Sequence, residues 1–249
     1  MGRRKENKVK LKFRIMKKLL TTILLMGYGV LSAQSPSETQ YGAFLTASKT
    51  LWEQSVKQAA KEHGDQSFEA AIAYMGLLNN TMATQDEDTF DEYIDTTVDL
   101  LKSIIETNPD SGEPKAVLSS VYGLIMAYSP MKGMLYGSKS NSLMDAAIKS
   151  DPNSPLVQKL YAGSKLYTPK MFGGNSKEAV ASYEKSVEIF EKGETASNWL
   201  YLDALMGLSL AYQKVERVED AKKTLNKALN IEPEFGWAMG VLAELNQSK

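Results

Sequence analysis

The stretch "LDALMGLSLAYQKVERVEDAKKTLNKALNIEPEF", residues 202–235, decides the fold. Its apolar residues recur at helical spacing. Leu205, Leu208, Ser209 and Tyr212 mark one helix, and Ala221, Leu225 and Ala228 mark a second. Pro233 ends the second helix, since proline has no N–H to continue it. Two helices on a short connection form one antiparallel pair, and one such pair cannot bury its apolar face alone.

Working outward, nearly every segment from residue 38 onward has the same periodicity, and strand-like alternation is hard to find. The spacing predicts helices near 38–62, 66–83, 88–107, 113–128, 138–150, 154–168, 176–192, 196–214, 218–230 and 234–246. Gly, Pro, Asn and Asp punctuate them, as in "HGDQS", "TNPDSGEP", "SDPNSP" and "IEPEFG".

An internal duplication is legible in the middle. "YSPMKGMLYG" begins at Tyr128 and "YTPKMFGGNS" at Tyr167, 39 residues later. Tyr122 and Tyr161, Met144 and Tyr183, and Ala147 and Ser186 are offset by the same interval. Pro130 and Pro169 each stop a first helix. The quoted segments are therefore enlarged turns between the two helices of neighbouring units. Asn175 followed by Glu178 reads as a capping pair for the next helix. Both turn tyrosines, Tyr128 and Tyr167, are expected to pack beneath their turns, leaving Phe172 exposed.

The 202–235 unit resembles a tetratricopeptide repeat. In that family large residues on the first helix pack against small ones on the second, here Ala221 and Ala228, and a small residue, here Ser209, sits at the crossing. The resemblance implies an all-α, right-handed α-solenoid of antiparallel helix pairs with about four to five repeats. Residues 34–110 form divergent N-terminal repeats, 111–233 the repeat-like units, and 234–249 a capping helix that covers the last apolar face.

Residues 1–33 are set apart from the fold. Lys17 and Lys18 precede a short apolar run, Leu19 to Val30, and Ala33 is a small residue at a cleavage point. That is a bacterial secretory signal peptide, too short in its apolar part to span a bilayer. The basic residues before Met16 read as an upstream extension. The leader implies a periplasmic or secreted protein of a Gram-negative bacterium with no stable membrane insertion after cleavage.

Removing 1–33 takes away nine Lys/Arg and one Glu, which leaves 20 basic against 29 acidic residues and a net charge near −9. Such a surface repels phosphate, so nucleic acid is not an expected partner. The chain has no cysteine and one histidine, His63. Disulfides, thiolate chemistry and a conventional zinc site are excluded. His63 sits before Gly64 at a helix C-terminus, where it favours the helix dipole. The acidic run from Asp86 to Asp95 lacks the glycine of a calcium loop and leads into a helix, whose dipole favours it. No catalytic residue, cofactor or metal ligand is assigned.

The tetratricopeptide resemblance implies a concave groove lined by first helices, with Asp203, Met206, Leu210 and Gln213 on it. Met206 and Leu210 stand where some members place charged carboxylate-binding side chains. In the preceding unit Tyr161 and Lys165 share one face. Met131, Met134, Met171 and Phe172 on the enlarged turns offer flexible and aromatic contact groups. The expected function is a non-catalytic scaffold for a protein or peptide partner. The segment "PKMFGGNSKEAVASYEKSVEIF" also resembles the periplasmic accessory (T) component of TRAP-type transporters. That implies an alternative: a small-molecule-binding subunit with a pocket around Tyr161, Tyr167 and Phe172.

Overall fold

The structure, a computed structural model, describes residues 35–247. The signal-peptide reading of 1–33 lies outside the described residues. Within them every regular element is helical: α1 (Pro36–Thr46), α2 (Lys49–His63), α3 (Phe68–Thr84), α4 (Glu87–Thr107), α5 (Glu113–Tyr128), α6 (Gly133–Ser150), α7 (Pro155–Tyr167), α8 (Ser176–Phe190), α9 (Trp199–Lys214), α10 (Val218–Ile231) and α11 (Gly236–Gln247). Short 3₁₀ turns, Pro130–Lys132 and Lys170–Phe172, precede α6 and α8.

The helix starts follow local chemistry. Ser48, Ser67, Asp86, Ser154, Asn175 and Asn198 each accept a backbone N–H from the first turn of the helix they precede. These bonds satisfy donors that have no partner inside the helix. Asp86 opens α4 in this way, so the acidic run begins as a cap, as the dipole argument expects. His63 ends α2 next to Gly64, whose φ is +100°.

The expected single helix over 38–62 is two helices. Ala47, with φ +49°, and the Ser48 cap break it, and α1 turns back along α2. A continuous apolar pattern hid the break, because both pieces bury residues. The helix expected at 138–150 starts at Gly133 instead, so the first enlarged turn is mostly helical.

Antiparallel pairs α3–α4, α5–α6, α7–α8 and α9–α10 stack as four repeats. The first helices α3, α5, α7 and α9 touch in succession and line the inner face. Fully buried alanines, among them Ala116, Ala147, Ala179, Ala204 and Ala221, let the helices close. Phe235 and Ala238, at the start of α11, cover the end of the last pair.

Candidate functional site

The inner face is occupied by the chain itself. α1 lies against α3 and α9, so the two ends of the array meet. Phe44 of α1 packs on Trp199 and Phe235, with ring centroids 5.7 and 5.5 Å apart. Trp52 of α2 meets Trp199 edge to face at 5.1 Å. A Cβ on Gly76 would fall 2.1 Å from the Trp52 ring, so only glycine admits that ring against α3. The Trp199 indole N–H donates to Gln40 Oε1 at 2.9 Å, and the Tyr41 hydroxyl donates to Glu232 at 3.3 Å. Burial, then the Glu232 carboxylate, push the Tyr41 phenol up to about 12.

This closure changes the reading of the groove residues. α9 is enclosed by α7, α8, α10 and α1. Met206, expected to face an open groove, is fully buried. Leu210 is partly buried against the same core. Gln213 donates its amide to the Ser209 carbonyl of its own helix. Asp203 forms an ion pair with the buried Lys159, whose ammonium also lies 5.8 Å from the Trp199 ring centre. A buried lysine needs such a partner, because an unpaired charge there would be strongly destabilising.

Tyr161 and Lys165 do share a face, as the spacing implies, but around a third residue. The Tyr161 hydroxyl donates to Glu178, Lys165 Nζ lies 3.3 Å from the same carboxylate, and the ammonium sits 5.1 Å above the Tyr161 ring. Burial, the Glu178 hydrogen bond and its charge push the Tyr161 phenol well up. Glu178 is thereby taken from its expected capping role. Asn175 caps α8 alone, and its own N–H goes to the Lys165 carbonyl.

The most exposed large apolar side chains are at the two enlarged turns, which lie side by side because α5 and α7 pack side by side. Met131 is 91% exposed, Met134 98%, Met171 82% and Phe172 64%. Leu135 is exposed beside them. Tyr167, expected beneath its turn, is 69% exposed, whereas Tyr128 is half-buried and stacked on Phe90 at 4.1 Å. The Tyr128 hydroxyl donates to Thr81. Tyr167 lacks a comparable ring to lie on among the described residues. Leu135 was not assigned to the contact surface from sequence, and Tyr167 was placed only in the alternative small-molecule pocket. The 39-residue register pointed to Tyr167 but assigned it the environment of Tyr128.

An exposed apolar edge of this kind is a candidate contact surface. With the geometry described, comparison with known proteins is informative. Residues 202–235 match the tetratricopeptide repeat family model. The fold is a tetratricopeptide-like solenoid. No curated protein sequence gives a match. A thermophilic TPR protein of Thermus thermophilus is similar in structure, with 16% identity over 82% of this chain and 91% of that one, at a TM-score of 0.52. The HusA haemophore from Porphyromonas gingivalis is similar too, with 18% identity over 74% of this chain and 96% of that one, at a TM-score of 0.54. At these identities the likeness shows the fold alone.

Proposed function

We propose that this chain is an exported, non-catalytic scaffold that holds a protein or peptide partner on the edge formed by its two enlarged turns. The observation that carries this reading is the run of exposed Met131, Met134, Leu135, Tyr167, Met171 and Phe172 on adjacent repeats. The inner face, where a tetratricopeptide-like scaffold would otherwise receive a peptide, already holds α1. The test is site-specific photocrosslinking in cells of the source organism. A crosslinker at Met134 or Phe172 should trap a discrete protein, while one at Asn226, exposed on α10, should not. Equal trapping from all three positions, or none, would refute the reading. Export is tested by the intact mass of the protein: cleavage near Ala33 supports it, and a chain retaining Leu19 to Val30 opposes it.

A second reading is small-molecule capture at the same edge. One protein of similar fold is a haemophore. Met131, Met134, Met171 and Tyr167 carry thioether and phenol groups, which are among the side chains that ligate haem iron. Titration with hemin decides it: a saturable Soret shift that the combined Met131→Leu, Met134→Leu, Met171→Leu and Tyr167→Phe variant loses would support this reading over the first.

A further inference from the structure

We infer that the segment gripped by the turn edge is apolar and flanked by carboxylates: a short acidic amphipathic stretch of a partner protein. This rests on the reading of the edge as a protein-binding surface. Residues 114–144 and 152–177, which supply α5, α7 and both enlarged turns, contain seven lysines and no Asp or Glu. The rest of the folded chain is acidic. Two of the seven are already used, Lys159 by Asp203 and Lys165 by Glu178. Lys132, Lys170 and Lys177 are exposed beside the apolar tips and form no ion pair with the described residues. Lys139 stands over the Tyr136 ring at 5.8 Å. The edge therefore offers apolar side chains framed by unpaired ammonium groups, which match carboxylates on either side of an apolar segment.

The neighbouring turns limit the extent of that segment. Asp86, Glu87 and Asp88 lie at the corresponding turn of the first repeat; at that of the last, Lys214 and Arg217 are offset by Glu216, Glu219 and Asp220, and Arg217 is paired with Glu184 and Asp220. An excess of basic over acidic residues is confined to the turns of the two middle repeats. A flat anionic bilayer would meet all four turns and be repelled by the outer two, whereas a peptide segment need touch only the middle pair. The charge pattern thus favours a protein segment over a lipid surface.

The test builds on the crosslinker at Met134 or Phe172. In a Lys132→Glu, Lys170→Glu, Lys177→Glu variant, adduct yield should fall about tenfold, with a Lys→Gln triple in between. Raising salt to about 0.5 M should lower the parent yield in the same direction. Circular dichroism and melting must match the parent, which isolates charge from folding. The trapped peptide, mapped by mass spectrometry, should carry Asp or Glu within a few residues of the apolar residue at the crosslink. If a discrete protein is trapped but its yield ignores charge reversal, or if the mapped peptide is basic, this inference is wrong and the edge reading stands. If neither position traps anything, both fall. Lipid adducts alone would make the edge a membrane surface and overturn the acidic-segment assignment.

Discussion

The two enlarged turns begin alike and end differently. After Tyr128 the chain makes the 3₁₀ turn Pro130–Lys132, Gly133 keeps a right-handed φ of −55°, and α6 starts at once. Met134 and Leu135 therefore ride on an extra helical turn, and α6 has 18 residues. After Tyr167 a similar 3₁₀ turn ends at Gly173, whose φ of +101° reverses the chain. The Gly174 N–H then bonds the Pro169 carbonyl, Asn175 caps, and α8 has 15 residues. In the 39-residue register Met134 and Leu135 correspond to Gly173 and Gly174. A Cβ at Gly174 would lie 1.7 Å from the Thr168 carbonyl oxygen, so the loop is closed to any other residue. A two-residue difference decides between helix and loop, while both outcomes leave apolar side chains on the same edge.

The largest expected effect is on the loop form. Gly174→Ala should cost about 3 kcal/mol and lower the melting point by roughly 6–12 °C, whereas Leu135→Ala at the matching position should change little. Equal melting of the two variants would mean that the turns are conformationally equivalent after all. The tyrosines come next. Tyr128→Ala loses a stacked, hydrogen-bonded ring and should cost about 2–3 kcal/mol, against less than about 1 for Tyr167→Ala. Thermal melts of both variants, side by side, show whether the stacked ring separates the turns.

Alkaline pH tests the closed ends and the packed helices rather than the turns. Burial and a nearby carboxylate hold the phenols of Tyr41, Tyr93 and Tyr212 up at about 12. The unfolded chain ionises them near 10. The folded state thus keeps protons that the unfolded state releases, so this contribution is whole below pH 10 and is lost as pH rises toward 12. Urea unfolding across that range should show the loss, and Tyr41→Phe should make it shallower. A flat pH profile for the parent would sink the assignment. Smaller again, Gly133→Ala should stabilise by about 0.5–1 kcal/mol, since its helical φ and open surroundings accept a methyl group. Phe172→Ala should stay within about 0.5 kcal/mol in stability while lowering crosslink yield at Met134.

The sequence made the helices legible because their signals are local. Periodicity, caps such as Ser67 and Asn198, and the Pro233 stop act within a turn or two. The exposure of Met131, Met134, Met171 and Phe172 was legible for the same reason: turn residues beyond a helix-ending proline have little to cover them. The register fails where environment depends on the neighbouring repeat. Tyr128 has Phe90 to lie on, and Tyr167 meets no such ring among the described residues. The occupied inner face was not legible at all. It depends on Gln40 meeting Trp199 across 159 residues, and nothing in the local pattern of α1 announces that contact.

The meeting of α1 and α2 with α9 also affects how the chain comes into being. An open array of repeats interacts only with its neighbours, so it can fray from an end and refold one unit at a time. Here the first helices complete their burial only when Trp199 and Phe235 are present. The contact between Tyr41 and Glu232 spans 191 residues. Closing so long a loop raises contact order and slows the last step of folding. As the chain folds, Phe44 and the edge of Trp52 that meets Trp199 stay uncovered until α9 and Phe235 are in place. Once closed, the first helices and α9 protect one another, so the array is expected to unfold as one cooperative body.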